Sequence, residues 1–150
     1  MPMFLLGMAL AGFDHDRFNV HTAARWSQLS DDTIVELLRS DRMLRLMRAA
    51  PHLVLVDNIV HHQDIRRPLR LGTDVPEQHL LATLHLITTN SSFSTEAKRA
   101  VGRRLVATDV EWTYGEGPDL EGTGEALLMY LWGRDQVLPE LHGAAPGPDG

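Results

Sequence analysis

The sequence predicts a mainly α protein, a helical bundle followed by a small unit of one β-hairpin and one helix. Three observations carry this. Apolar residues recur at three- and four-residue spacing across residues 30–48 and 73–89, the period of a one-sided helix. Between them, PHLVLVDNIVHHQDIRRP (51–68) is bracketed by prolines, which suit a first helical turn and stop a helix that reaches them. From Arg103 the pattern changes to short β-branched and aromatic strings cut by Gly-Glu-Gly-Pro. The expected organisation is a helical bundle over 1–92, a small α+β unit over 103–142 and a disordered tail, GAAPGPDG, over 143–150.

Each element has its own warrant. MFLLGMALAG (3–12) is apolar and contains Ala9-Leu10-Ala11, which mimics a signal-peptidase site. It lacks a positively charged lead and is much too short to span a bilayer, so it reads as part of a bundle helix whose beginning is missing. FDHDRFNVHTAARWSQL (13–29) offers Phe13, Phe18, Ala24 and Leu29 as the apolar face of a second helix, with His15 and His21 among its solvated residues. Ser30 suits an N-cap, and Asp31 and Asp32 fall where the helix dipole favours negative charge. Ile34, Leu37, Leu38, Leu44 and Met47 then form a stripe, closed by Arg45 and Arg48.

The stretch 51–68 favours helix, although the β-branched LVLVDNIV leaves a strand open. Thr73 or Asp74 is placed to cap the next helix. Pro76 and Glu77 open it, and Leu80, Leu81, Leu84 and Ile87 form its stripe. His79 and His85 fall at its polar surface. NSSFST (90–95) reads as a connector. A strand is expected over Leu105–Thr108, an aromatic pair at Trp112 and Tyr114, a turn at Gly-Glu-Gly-Pro and a second strand over Asp119–Glu121. GEALLMYLWGR (124–134) forms a helix that stops at Gly133.

One pair stands out chemically. Asp57 and His61 are four residues apart, so on a helix they share a face about 40° wide with Cβ atoms roughly 6 Å apart. Leu53, Val54 and Val60 flank them, while Leu55 and Ile59 make the opposite side apolar, which predicts a buried helix. A buried Asp57 needs a partner, because an unpaired carboxylate there is costly. A metal ion shared with His61 satisfies both groups. An arginine partner and an ordinary core histidine are the alternatives. Two ligands are also fewer than the three protein groups of a usual catalytic zinc.

Composition narrows the function class. At 150 residues the chain can bury about 70% of its unfolded surface, enough for one core. A net charge of -6 provides no electrostatic footprint for DNA or RNA. The local Arg66, Arg67 and Arg70 cluster follows the Asp57 helix and suits either its C-terminus or an anionic small molecule. With no cysteine, the chain has no disulfide, no thiolate ligand and no sulfur nucleophile, so any sulfur chemistry requires a thiol that arrives as a ligand. No nucleic-acid or membrane partner is expected, and the expected location is cytoplasmic.

DNIVHHQDIRRPL (57–69) and RRLVATDVEWTYGEGPDLEGTGEALLMYLWGR (103–134), with the distance between them, resemble the mycothiol-dependent maleylpyruvate isomerase family of the DinB-like helical metalloproteins. The resemblance spans roughly residues 10–142. It implies a DinB-like four-helix bundle, here N-terminally truncated. The bundle holds a divalent metal, usually zinc, through a histidine, a carboxylate and a second histidine. The last two correspond to Asp57 and His61. The family's first histidine lies in a segment resembling W-T-x-x-x-x-x-x-H-L, which none of His15, His21 or His52 matches. The chain is therefore expected to begin downstream of that helix or to be a fragment.

The resemblance further implies mycothiol as the thiol and a small organic acid as substrate. In the namesake reaction the metal-bound thiolate adds to the cis double bond of maleylpyruvate. The resulting single bond rotates and elimination gives fumarylpyruvate. Arg134 is the candidate for binding substrate carboxylates, a task to which a guanidinium is suited. Asp64, one turn beyond His61, is a candidate to orient a ligand from behind, with a structural ion pair to Arg67 or Arg103 as the alternative. A non-catalytic helical module for binding or oligomerisation is the competing class. Homodimer assembly is left open.

Overall fold

The computed structural model describes residues 14–39 and 51–143, together with Ala9, Gly12 and Arg48. The described chain is mainly helical with one small four-stranded sheet. By contacts it divides into two units, residues 1–51 and 52–150. Most of MFLLGMALAG, the second half of the helix expected over 30–48, and residues 144–150 of the expected tail lie outside the described residues.

In the first unit, α1 spans His15–Trp26 and α2 spans Asp31–Arg39. Asp14 caps α1 by accepting from the Arg17 amide at 3.0 Å. Ser30 precedes α2 as expected: its hydroxyl lies 3.4 Å from the Thr33 amide and 2.8 Å from the Thr33 hydroxyl. Asp31 and Asp32 occupy the first turn.

The second unit opens with α3, Pro51–Arg66, so the proline-bracketed stretch is helix and not strand. The expectation that it is buried all round does not hold. It buries Val56, Val60 and Gln63 and leaves Leu53, Asp57, His61 and Ile65 exposed. The chain after it is tied down by side chains. Gln63 donates to the Thr73 carbonyl at 2.9 Å, and Arg66 donates to the carbonyls of Leu71 and Gly72 at 2.8 and 2.9 Å.

Helix α4 covers Glu77–Thr89 and buries Leu80, Thr83, Leu84 and Ile87, with Leu81 half-buried and His79 and His85 exposed. Neither Thr73 nor Asp74 caps it. Pro76 takes the cap position without a side-chain bond, because a residue before proline is held out of the helical region. Asp74 instead pairs with Arg66 at 3.6 Å.

The expected connector, 90–95, is largely helical: a short turn over Ser91–Phe93 leads into α5, Ser94–Ala97, and a second turn over Lys98–Ala100 follows it. Its one apolar residue, Phe93, is buried against Trp132, with ring centroids 5.7 Å apart.

The sheet consists of β1 (Arg104–Ala107), β2 (Thr113–Gly115), β3 (Asp119–Gly122) and β4 (His142–Gly143), in the order β2-β1-β3-β4. The two expected strands exist but do not form a hairpin with each other. β1 pairs antiparallel with β2, and β3 runs parallel to β1 on its other side. Gly-Glu-Gly-Pro is thus a crossing around the start of β1. Arg104 donates its amide to the Pro118 carbonyl at 3.0 Å, and a Cβ on Gly117 would stand 2.4 Å from the Gly102 carbonyl oxygen. Gly143 pairs with Leu120 on β3, so the first residue of the expected tail belongs to the sheet.

Helix α6, Gly124–Leu131, has every residue buried. Thr123 caps it through the Ala126 amide at 3.2 Å, and Asp109 accepts from the Gly124 amide at 2.7 Å. At its end Gly133 turns to φ +78°. The amides of Gly133 and Arg134 reach back to the carbonyls of Tyr130 and Met129, both at 2.9 Å, a glycine-ended helix as expected. Val56, Val60, Leu84 and Ile87 of α3 and α4 share one core with Leu105, Leu120 and α6. That core draws residues from both sides of positions 92–103. Apolar faces from the helices and the sheet close on the same central helix.

The crossing yields a stability prediction. Gly117→Ala places a Cβ against backbone at φ +131°, whereas Gly133 has open space around it at φ +78°. Gly133→Ala is expected to cost about 1–2 kcal/mol, the ordinary penalty of a left-handed residue. Gly117→Ala should cost clearly more, on the order of 3 kcal/mol or above. Urea unfolding of both variants measures this, and equal losses at the two positions would contradict the crossing.

Candidate functional site

Asp57 and His61 come together as the helical spacing requires. His61 Nε2 lies 3.3 Å from Asp57 Oδ1, with the side chains 58% and 64% exposed, so the pair lies at the surface of the described chain. An N–H···O hydrogen bond usually spans about 2.7–3.2 Å, and this contact is longer. Two ligands on a tetrahedral zinc, each about 2.0–2.2 Å from the ion, stand about 3.4 Å apart. The spacing therefore fits two donors converging on one cation, and an imidazole with a carboxylate is a suitable donor set for zinc.

The other ring nitrogen is also engaged. His61 Nδ1 lies 3.1 Å from Asp64 Oδ2, one helical turn further along α3. Asp64 in turn receives both prongs of an arginine. Arg134 Nε reaches Oδ1 at 3.0 Å and Nη2 reaches Oδ2 at 2.7 Å. That bidentate guanidinium, helped by His61, holds the Asp64 carboxyl below the usual carboxylate range. An ionised carboxylate accepts hydrogen bonds only, so Nδ1 carries the hydrogen in the bond to Asp64. A neutral His61 ring then turns its Nε2 lone pair toward Asp57.

Four residues singled out in the sequence thus form one line, Asp57–His61–Asp64–Arg134. The partner of Asp64 is Arg134, not Arg67 or Arg103. The guanidinium expected to meet substrate carboxylates has its fork on Asp64, and its remaining nitrogen lies 3.4 Å from the Trp132 carbonyl. Among the described residues no three His, Asp or Glu side chains gather to hold a metal. Asp64 lies on the far nitrogen of the ring and cannot join Asp57 on the near one. His79 and His85 are exposed on α4, His21 is exposed on α1, and His52 packs edge-on against Phe93 at 6.5 Å.

A second charged cluster lies beside this line. Glu125, in the first turn of α6, is 2% exposed. Arg67 donates Nε to its Oε1 at 2.8 Å and Nη2 to its Oε2, and donates Nη1 to Glu140 at 2.6 Å. The Glu125 carboxylate raises the Arg67 pKa further above its ordinary value. With Arg66 on backbone carbonyls and Arg67 on two glutamates, two members of the basic cluster serve the fold. The signal for Glu125 was present in the sequence: one acid inside GEALLMYLW demands a cation. Its partner, 58 residues earlier, could not be identified by local spacing.

Comparison with family models, with curated proteins and with solved structures finds no match. No helix among the described residues is long and apolar enough to cross a membrane.

Removing one member of the buried pair should leave an uncompensated charge. Arg67→Met is expected to destabilise the protein by about 3–5 kcal/mol in urea unfolding, and Arg67→Met with Glu125→Leu should recover most of that loss. A double variant no better than the single one would show that Glu125 does not depend on Arg67.

Proposed function

We propose that this chain is a metal-binding protein of the mycothiol-dependent maleylpyruvate isomerase type, on a DinB-like bundle, with Asp57 and His61 as two of its metal ligands. The observation that carries the proposal is the 3.3 Å separation of Asp57 Oδ1 and His61 Nε2, together with the anchoring of the opposite ring nitrogen by Asp64. A metal-binding histidine characteristically donates its other N–H to a carboxylate, which fixes the ring and makes the ligating nitrogen more basic.

Within that proposal the chain's residues have distinct tasks. Asp57 contributes charge and His61 a neutral nitrogen, while Asp64 holds the ring. The remaining coordination positions fall to groups outside the described residues, to water or to a small-molecule thiol. When bound, zinc lowers the pKa of such a thiol and presents thiolate near neutral pH. A chain without cysteine needs that thiol from mycothiol or a similar low-molecular-weight compound. A small organic acid is the proposed substrate class, and the proposed location is cytoplasmic.

A second reading is supported by the exposure of both side chains. In that reading the chain is a helical binding or oligomerisation module in which Asp57 and His61 are a surface pair.

Titration of the purified chain with Co²⁺ and Zn²⁺ separates the two. The metal reading expects one equivalent bound, a cobalt absorption spectrum that changes when a thiol is added, and affinity lowered at least tenfold in Asp57→Ala and in His61→Ala. No binding, or binding unchanged in both variants, would leave the module.

A further inference from the structure

We propose that Arg134 is a positioning residue: through Asp64 it sets which nitrogen of a neutral His61 carries the hydrogen, and so whether the nitrogen facing Asp57 offers a lone pair. The consequence for metal affinity rests on the proposed metal role of Asp57 and His61. The tautomer itself does not depend on that role.

The argument begins with the end of α6. Gly133 turns the chain back, and the Arg134 amide is fixed on the Met129 carbonyl at 2.9 Å, so the side chain leaves from a defined point. Its guanidinium is planar and cannot lose its proton, so it presents Nε and Nη2 as two fixed parallel donors. Both end on Asp64, one on each oxygen, at 3.0 and 2.7 Å. A carboxylate gripped at both oxygens cannot rotate about its final bond without losing a charged hydrogen bond. Asp64 Oδ2 is therefore a stationary acceptor 3.1 Å from His61 Nδ1.

A stationary acceptor selects the donor. Nδ1–H is favoured over Nε2–H, and the lone pair of the neutral ring lies on Nε2, facing Asp57 Oδ1 at 3.3 Å. Without Arg134, Asp64 would be a partly exposed carboxylate on a free rotor, as open to water as to the ring. A role in gripping substrate carboxylates would require the same two nitrogens to leave Asp64.

The test reads the tautomer directly. Long-range ¹H–¹⁵N spectra of metal-free protein, at a pH that leaves His61 neutral, are expected to show hydrogen on Nδ1 in the wild type. Arg134→Gln and Asp64→Ala should shift the ring toward hydrogen on Nε2. Arg134→Lys, which keeps the charge but loses the fork, should fall between. Zinc affinity, measured by chelator competition, should fall about tenfold or more in Arg134→Gln. Near-UV circular dichroism monitors folding, and if Arg134→Gln unfolds, Asp64→Ala and Arg134→Lys carry the same test.

An unchanged His61 tautomer in the folded variants overturns the proposal. So does an Arg134→Gln protein that loses only its binding of maleate, used as a small dicarboxylate probe. If the wild type shows the expected tautomer but binds no zinc, the metal reading fails and the positioning role stands. If Asp57 and His61 bind zinc equally well in Arg134→Gln and the tautomer is unchanged there too, the metal reading stands and the positioning role fails.

Discussion

Glu125 is a carboxylate in a helix with no solvent-facing side, and Arg67 is what makes its position tolerable. Every residue of α6 is buried, and six of them, Ala126 to Leu131, belong to the core that α4 and the sheet share. Burying a charge at its first turn requires a cation that is itself fixed, and Arg67 reaches both Glu125 and Glu140 from just past the end of α3. The pair therefore fixes where the C-terminal end of α3 lies against the start of α6. Such a pair adds little net stability compared with well-packed apolar residues, but losing one half of it is expensive. Its role is to specify position.

That specification governs the candidate site. Asp64 lies three residues before Arg67, roughly one helical turn, so the anchor that fixes Arg67 also places Asp64 within reach of the chain leaving α6. The glycine turn at 133 then delivers Arg134 to it. Two contacts one turn apart on α3, one to the start of α6 and one to its end, leave α3 little freedom to slide or roll. His61 and Asp57, one and two turns further back, inherit the resulting orientation of the helix face.

Much of this was legible in the sequence where the cause is local. The prolines at 51 and 68 bound the helix because proline acts on its own neighbourhood, and Gly133 ends α6 for the same kind of reason. The meeting of Asp57, His61 and Asp64 follows from helical spacing alone. Other features are not local. The parallel pairing of β1 with β3 was hidden because Gly-Glu-Gly-Pro looks like a hairpin turn, whereas the strand order and the approach of Gly117 to Gly102 show that the chain crosses β1. The exposure of Asp57 was misjudged because a helix apolar on two sides still buries only what its neighbours cover, here the side of Val56 and Val60. The Arg134–Asp64 bond joins residues 70 positions apart, beyond the reach of any periodicity.

The line from Asp57 to Arg134 contributes little to holding the protein together. Its ion pairs are 27–64% exposed, and exposed pairs contribute about 0–1 kcal/mol each, far less than the buried Arg67 pair controls. An exposed network of low stabilising value is an ordinary surface feature when its members are interchangeable. These members are not. The histidine has a carboxylate on each nitrogen, at 3.3 and 3.1 Å, and only one of those carboxylates is clamped by arginine. In a neutral ring the asymmetry favours hydrogen on the clamped side and the lone pair on the free one. Stability does not require that bias, whereas a ligand at Nε2 would.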